Sequence, residues 1–266
     1  MRFASAFIFL IFLFACNPSK QNVSSQAQQQ EIAVDGKLLA SVFIQRAAEY
    51  HALCLQAYNV ARFRLDEALQ QTSSKPRAII TDIDETVLDN SLEEVHRDLQ
   101  GKSFNIADWN KWTDLAIADT VPGAFSFLKY ASSRGVEIFY ISNRDENDRE
   151  GTLKNLQKFG FPNADNAHLL VRQNTSGKEQ RRQQVMTTHD VVLLLGDNLG
   201  DFSMLFDKKS VEERLQTAKN LSTQFGDRFI VLPNSVYGEW ENALYQYKQL
   251  NTAQKDSAIR SWLKSY

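Results

Sequence analysis

Arg77-Ala78-Ile79-Ile80-Thr81-Asp82-Ile83-Asp84-Glu85-Thr86 is the stretch that decides the fold of this chain. Its first five residues form a short apolar run rich in β-branched side chains, which predicts a buried strand over 77–81. Asp82 and Asp84 follow where that strand ends. Because open α/β sheets bind ligands at the carboxyl ends of their strands, the same stretch also predicts a functional site.

The regions downstream repeat this pattern. Three further strand-like runs lie at 135–141, 168–171 and 191–195. Helix-like stretches alternate with them at 123–134, 145–159 and 176–187. This alternation predicts an α/β fold with a largely parallel sheet and helices on both faces. Upstream, apolar residues recur at helical spacing from Lys37 to Leu69, which predicts one long amphipathic helix or a pair of helices.

The composition is that of an ordinary globular protein. The 266 residues include 30 Lys+Arg and 32 Asp+Glu, a net charge of −2, and 43% of the residues are hydrophobic. This balance argues against a basic nucleic-acid-binding protein, so no nucleic-acid partner is expected. The two cysteines, Cys16 and Cys54, form neither a CxxC motif nor a Cys/His cluster, which excludes a disulfide framework and a zinc site. Cys54 is expected to be a reduced, buried helix-packing residue.

The N-terminal segment has the pattern of a targeting signal. Arg2 precedes an apolar run over 3–15, which is shorter than the about 20 residues of a membrane-spanning helix but suits a secretory signal. Leu13-Phe14-Ala15-Cys16 resembles a bacterial lipobox, in which cleavage leaves Cys16 to carry acyl chains. An ordinary secretory signal is the alternative. Residues 16–34, rich in Gln and Ser, predict a flexible tether.

Polar residues follow the other predicted strands as well. Ser142 follows the second strand, Asp197 follows the last, and Lys178 lies near the start of the helix between them. Asp82, Asp84 and Asp197 offer hard oxygen ligands, which favour Mg²⁺ over zinc. A metal flanked by a free carboxylate, a hydroxyl and an ammonium suits a phosphate group. The free carboxylate can then act as the nucleophile.

Several of these features also have a purely structural interpretation. The charges from Lys178 to Arg182 fit a solvated helix face, and Ser176-Gly177-Lys178 lacks the upstream glycine of a Walker A loop. Trp109 and Trp112, spaced i and i+3, either stack on a substrate ring or pack a helix face on the core. The four dispersed histidines are expected to be surface or packing residues.

Taken in order, the polar residues resemble the four motifs of the haloacid dehalogenase-like (HAD-like) phosphatases. These motifs are Asp82-x-Asp84-x-Thr86, Ser142, Lys178, and Asp197 with Asp201. More narrowly, the chain resembles the class C acid phosphatases, the bacterial lipoprotein 5′-nucleotidase family. The narrower resemblance also rests on Trp109-x-x-Trp112, Pro122-Gly123-Ala124, Tyr140-Ile141-Ser142-Asn143-Arg144, Gly196-Asp197-Asn198-Leu199-x-Asp201-Phe202, Leu232-Pro233-Asn234 and Tyr237-Gly238-x-Trp240.

The resemblance implies a HAD-like Rossmannoid parallel sheet with flanking helices and a smaller, mainly helical subdomain. The expected organisation is a lipoprotein signal peptide over 1–15, the tether over 16–34 and a phosphatase domain over 35–266. Within that domain the core is expected over about 75–235, and the helical subdomain is expected from 35–74, 91–120 and the C-terminal end.

The resemblance also assigns a role to each matching position. Asp82 is implied to be the nucleophile that becomes phosphorylated. Asp84 is implied to be the acid that protonates the leaving group and then, as a base, activates water. Mg²⁺ is implied to bind the side chains of Asp82 and Asp197 and the backbone carbonyl of Asp84. Asp201 is expected to support Lys178 and the metal-bound water.

Substrate contacts are implied for Thr86, Ser142, Asn143 and Lys178, and Tyr237 is the candidate for stacking on a nucleobase. The implied activity is Mg²⁺-dependent hydrolysis of nucleoside monophosphates or related nucleotides. The protein is expected in the bacterial cell envelope, lipid-anchored at the outer membrane or facing the periplasm, and a homodimer is compatible with the resemblance. A non-catalytic surface lipoprotein or binding module with the same fold is the alternative.

Overall fold

A computed structural model describes residues 32–266, which contain ten α-helices and seven strands. The helices are α1 (Ile32–Arg46), α2 (Ala48–Leu69), α3 (Ser91–Leu99), α4 (Ile106–Leu115), α5 (Ala124–Ser133), α6 (Arg149–Phe159), α7 (Glu179–Thr188), α8 (Val211–Asn220), α9 (Glu239–Leu244) and α10 (Thr252–Trp262). The strands are β1 (Arg77–Thr81), β2 (Leu88–Asp89), β3 (Asp119–Thr120), β4 (Glu137–Ile141), β5 (Leu169–Leu170), β6 (Asp190–Gly196) and β7 (Phe229–Val231).

Five strands form one sheet in the order β5-β4-β1-β6-β7, and every neighbouring pair is parallel. This confirms the α/β fold with a parallel sheet that the sequence predicts. The sequence does not predict the strand β7, because three residues are too few to show a periodicity. They form a strand by pairing with β6. A separate antiparallel pair, β2 and β3, brackets the insertion that contains α3 and α4.

The predicted N-terminal helical region is a pair of helices. The break falls at Ala47, whose backbone is extended (φ −79°, ψ 128°). One face of α2 is buried, formed by Tyr50, Cys54, Tyr58, Ala61 and Leu65 at helical spacing. This face packs against α5, β6 and β7, whereas α1 packs against α3 and α10. The predicted region 35–74 thus contacts the main sheet and α5 through its second helix, and α3 and α10 through its first.

Cys54 is fully buried on this face of α2. Burial raises the pKa of its thiol to about 11, so the thiol stays protonated and unreactive at neutral pH. The predicted packing role of Cys54 is confirmed. The predicted signal peptide and the lipidation site Cys16 lie outside the described residues. None of the helices within residues 32–266 combines the length and the apolarity needed to span a bilayer.

Candidate active site

The register of the sheet brings the ends of three strands to one level. Thr81 at the end of β1 lies opposite Tyr140 of β4 on one side and Leu195 of β6 on the other. The backbone N–H of the next residue, Asp82, still donates to the Leu195 carbonyl at 2.9 Å. Parallel pairing therefore gathers the segments that begin at Asp82, Ser142 and Asp197, although they are far apart in the sequence.

Three carboxylates meet at this edge of the sheet. Oxygens of Asp82, Asp197 and Asp201 all lie within 4.8 Å of one another. Asp82 and Asp201 are buried, and Asp197 is half-buried. A glycine makes room for this cluster, because a Cβ at Gly196 would lie only 2.3 Å from Asp201 Oδ2. Any larger residue at the end of β6 would displace the Asp201 side chain.

Lys178 bridges two of the three carboxylates. Its Nζ lies 2.7 Å from Asp82 Oδ1 and 2.6 Å from Asp201 Oδ1. Burial by itself would lower the pKa of Lys178, but Asp201 and Asp82 outweigh it and raise that pKa. Lys178 is therefore a fixed cation beside the Asp82 carboxylate. The sequence leads us to expect that Asp201 supports Lys178, and that role needs the contact between Asp201 and Lys178 described here.

The acidic cluster holds more negative charge than one lysine neutralises. Burial raises the pKa of Asp82 to about 7; Lys178 opposes this rise, and Asp201 and Asp84 add to it. Burial, with the neighbouring Asp201 and Asp82 carboxylates, likewise raises the pKa of Asp197. A divalent cation would relieve both effects, since it favours the ionised carboxylates. The cluster consists of carboxylate oxygens, which fits a hard divalent cation such as Mg²⁺.

The Asp84 side chain has its own set of partners beside the cluster. Its Oδ1 accepts from Arg144 Nε at 3.0 Å, Arg144 Nη2 at 2.8 Å and Asn90 Nδ2 at 2.9 Å. Ser142 Oγ donates to Asp84 Oδ2 at 3.3 Å. Ser142 is thus next to the predicted acid, and its own Oγ accepts from the Arg144 backbone N–H at 3.1 Å.

The start of α7 is a buried polar face, and the interpretation of 178–182 as a solvated helix face is wrong for three of its five residues. Lys178, Arg181 and Arg182 are buried. Arg181 donates to the Ser142 carbonyl at 2.5 Å and to Asn143 Oδ1 at 2.8 Å. Arg182 donates to the carbonyls of Gly200 and Asp201 at 2.7 and 2.8 Å. The two arginines therefore fix the loops after β4 and β6 relative to each other.

A polar cavity of about 110 Å³ opens beside Lys178. Its lining includes Asn143, Ser176, Lys178, Asn198 and Asp201. Asn143 is exposed, and its Oδ1 accepts from Arg181, which fixes the side chain at the cavity wall. Of the predicted substrate contacts, Asn143 and Lys178 line this cavity.

The other predicted contacts have different environments. Thr86 is fully buried, and its hydroxyl makes no hydrogen bond within residues 32–266, while its carbonyl accepts from the Tyr58 hydroxyl. Thr86 therefore connects the loop after β1 to α2 through the hydrogen bond from Tyr58. Tyr237 is half-buried and packs against the core beside the exposed Trp240. Its backbone lies close to Asn234, whose Nδ2 donates to Asp197 Oδ2 at 2.8 Å.

Both insertion tryptophans are packing residues. Trp109 and Trp112 are each 9% exposed. Trp112 Nε1 donates to Asn90 Oδ1 at 2.9 Å, and the Trp109 ring lies 5.5 Å from the Arg144 guanidinium. Their burial favours the helix-face interpretation over stacking on a substrate ring.

The sequence assigns no role to several residues of the site, among them Arg144, Arg181 and Asn234. Arg144 and Asn234 stand inside motifs that carry the family resemblance, so their position in those motifs was a usable signal. Arg181 had no such signal, because only the packing of α7 against the loop after β4 reveals its partners.

Comparison with known proteins agrees with this geometry. A family model described as HAD superfamily, subfamily IIIB (acid phosphatase), matches residues 12–240. The structure of the class C acid phosphatase from Bacillus anthracis is 44% identical, with a TM-score of 0.85, and the match covers 88% of this chain and 99% of that one. A structure of class C acid phosphatase from Bacillus anthracis with tungstate bound is 43% identical, also with a TM-score of 0.85, and the match covers 89% and 100% of the two chains.

Proposed function

The chain belongs to the acid phosphatases of HAD superfamily subfamily IIIB, and within them to the class C acid phosphatases, and from this premise we propose that it hydrolyses nucleoside monophosphates or related nucleotides with Mg²⁺ as cofactor. Phosphomonoester hydrolysis follows from the family. The nucleotide substrate, the identity of the metal and the roles of individual residues are the proposal.

The observation that carries this proposal is the position of the Lys178 ammonium. It lies between the carboxylates of Asp82 and Asp201, at the edge of the acidic cluster. A carboxylate nucleophile repels the negative oxygens of a phosphate ester, so the approach requires neighbouring cations. The tungstate in the Bacillus anthracis structure is a tetrahedral oxyanion like phosphate, which supports an oxyanion site in this family.

The proposed reaction has two steps. In the first, an Asp82 oxygen forms a bond to phosphorus, the bond from phosphorus to the ester oxygen breaks, and Asp84 gives its proton to the departing oxygen. In the second, Asp84 takes a proton from water as the water oxygen bonds to phosphorus, and the bond to Asp82 breaks. Free Asp82, protonated Asp84 and inorganic phosphate result.

Asp82 and Asp197 would hold Mg²⁺, with Asp201 as a neighbour in the same cluster and the Asp84 carbonyl as the ligand that the resemblance implies. When bound, the ion supplies positive charge that neutralises the phosphoryl oxygens and keeps the carboxylates ionised. Lys178 provides the second positive charge, and the Asn143 amide provides a donor at the cavity wall.

The activity is tested by phosphate release from adenosine 5′-monophosphate. Wild type with Mg²⁺ is expected to release phosphate, EDTA to abolish the release, and Asp82→Asn to remove it even with Mg²⁺. Asp108→Asn is the matched control, because Asp108 is an exposed aspartate on α4 paired only with Lys111 among the described residues. If wild type releases no phosphate over a broad range of pH and metals, the enzymatic proposal is wrong.

Nucleotide preference is proposed to come from Tyr237. Tyr237 lies on the same loop as Asn234, whose side-chain amide donates to Asp197 Oδ2, and this proximity in the chain is the basis for the proposal. Base stacking on an aromatic ring contributes about 1–3 kcal/mol. Tyr237→Ala is therefore expected to lower kcat/KM for adenosine monophosphate relative to glycerol phosphate, and Tyr237→Phe to keep the preference. An unchanged ratio in Tyr237→Ala would exclude stacking at this position.

Anchoring of the protein to a bacterial envelope membrane through Cys16 is also proposed, on the basis of the lipobox-like sequence. Expression of the full chain in a bacterium is expected to place it in the membrane fraction, and Cys16→Ser to release it. Recovery of both forms in the membrane fraction would refute a lipid anchor at Cys16.

A further inference from the structure

Arg144 and Asp84 form an ion pair that lies beside the acidic cluster. The Asp84 carboxylate has two oxygens in very different environments. Oδ1 receives three N–H groups, two from Arg144 and one from Asn90, at 2.8 to 3.0 Å. Oδ2 receives one longer contact, from Ser142 Oγ at 3.3 Å. Because a carboxylate oxygen has about two lone-pair sites, Oδ1 is saturated. Oδ2 is the oxygen that remains able to carry a proton.

We propose that Arg144 is a positioning residue for the acid–base step: it binds Asp84 through Oδ1, so that Oδ2 carries the proton to the leaving oxygen. This inference rests on the proposed function, since it assigns the orientation of the group that protonates the leaving group. In the first step the proton moves from Asp84 Oδ2 to the ester oxygen as that oxygen leaves phosphorus. Asp84 becomes an anion, and the adjacent guanidinium stabilises it.

The remaining contacts of Arg144 argue against a direct role on phosphate. Its Nη1 donates to Thr152 Oγ1 at 2.9 Å, and its Nη2 also lies 3.3 Å from Asn90 Oδ1. The Trp109 ring covers the guanidinium at 5.5 Å, and the residue is 3% exposed. All three guanidinium nitrogens are thus engaged in buried contacts. Lys178, by contrast, lines the cavity and serves as the cation for the phosphoryl group.

The helical insertion supports this arrangement through Asn90. Trp112 Nε1 of α4 donates to Asn90 Oδ1, and the Asn90 backbone N–H donates to Glu85 Oε1 at 2.8 Å. Asn90 Nδ2 is therefore oriented toward Asp84 and cannot exchange its oxygen and nitrogen ends without losing the Trp112 contact. The insertion thus acts on the chemical step through Trp112, in addition to any effect on substrate choice.

Leaving-group dependence separates this role from a structural one. An alkyl leaving group, as in adenosine monophosphate, needs a proton from Asp84, whereas 2,4-dinitrophenolate leaves without one. The value of kcat/KM reports the first step for both esters. We expect Arg144→Lys to lower kcat/KM for adenosine monophosphate by about 10²-fold, the size of a general-acid contribution, with little change for 2,4-dinitrophenyl phosphate. Asp84→Asn gives the reference for complete loss of the acid.

Arg97→Lys is the matched control. Arg97 is another buried arginine, and its ion-pair partners are Glu93 and Glu94 on its own helix α3 rather than members of the acidic cluster. Its substitution is expected to lower thermal stability without changing the ratio of kcat/KM for the two esters. Trp112→Phe provides a milder test, because it removes one N–H donor and keeps an aromatic ring. It is expected to shift the same ratio in the same direction.

The outcomes distinguish the inference from the proposed function. Selective loss on adenosine monophosphate in Arg144→Lys and Trp112→Phe supports the positioning role. An equal loss on both esters, or no loss on either, overturns it. If Arg144→Lys does not fold, the Trp112→Phe ratio decides alone. Wild type that hydrolyses neither ester refutes the proposed function itself.

Discussion

Gly196→Ala tests how closely the end of β6 is fitted to the acidic cluster. A Cβ at this position would lie 2.3 Å from Asp201 Oδ2, 2.5 Å from Asp201 Cβ and 2.7 Å from Asp201 Cγ. Ordinary contact begins near 3.4 Å, so the Asp201 side chain must retreat by about 1 Å. The clash involves the whole side chain, and rotation of its end does not relieve it.

Asp201 cannot move without losing two bonds. Its Oδ1 pairs with Lys178, and its Oδ2 accepts the Asn198 backbone N–H at 2.9 Å. Its own carbonyl is held by Arg182. Overpacking of this kind costs about 1–3 kcal/mol of unfolding free energy. For a domain of this size, each kcal/mol lowers the Tm by roughly 2–4 °C.

The fall in kcat/KM is expected to be larger than the loss of folded protein alone would cause. Lys178 follows the displaced carboxylate, and a misplacement of about 1 Å at a reacting group costs about 10²-fold in rate. The assay is kcat/KM for phosphate release, with Tm measured on the same samples. Gly135→Ala is the control, because a Cβ there would meet nothing within 4 Å, although Gly135, unlike Gly196, has a positive φ (+76°). That variant is expected to lose stability through backbone strain and to keep its activity.

A double substitution isolates the cause. If the clash with the Asp201 side chain is responsible, Gly196→Ala should cost less stability in an Asp201→Ala background, because that background lacks the Cγ and Oδ2 atoms and keeps only the 2.5 Å contact with the Cβ of residue 201. Wild-type kcat/KM and Tm in Gly196→Ala would refute the reasoning, and so would an equal stability loss in both backgrounds.

Three other substitutions test separate parts of the structure. Asn234→Ala removes the amide that holds Asp197 Oδ2, so the Mg²⁺ concentration for half-maximal activity should rise by about 10–100-fold, whereas the exposed Asn166→Ala should leave it unchanged. Tyr58→Phe leaves the buried Thr86 carbonyl without its donor and should lower unfolding free energy by about 1–3 kcal/mol in denaturant titration; an unchanged midpoint would contradict this. Burial opposes protonation of His168, but hydrogen bonds to Asp165 and Glu137 outweigh it and raise the pKa of His168. Hydrogen bonding to His168 lowers the pKa of Glu137, so the Glu137–His168 contact stabilises the fold once the pH is above the ordinary carboxylate pKa. This stabilisation is lost as the pH rises through the raised pKa of His168, because the imidazole then loses its charge. The Tm difference between wild type and His168→Gln should therefore be largest near about pH 5–6 and shrink by about pH 8, and a constant difference would refute it.

Much of the architecture follows from local sequence alone. A short β-branched run before Asp82 predicts β1, helical spacing predicts the buried face of α2, and alternation of the elements predicts the parallel sheet. These features are readable because each depends on the periodicity of a few neighbouring residues. The ordered motifs likewise indicate which residues stand at strand ends.

The partners of the buried polar groups depend on tertiary structure. Arg144 and Asp84 are 60 positions apart and meet because β1 and β4 pair in parallel register. The charges at 178–182 resemble a solvated face because hydropathy treats every charged residue as exposed, yet Arg181 and Arg182 are buried against carbonyls of two loops. Sequence thus determined which chemical groups the site contains, whereas strand register and helix packing decided which of them touch, because a buried charge is stable only where the fold supplies its partner.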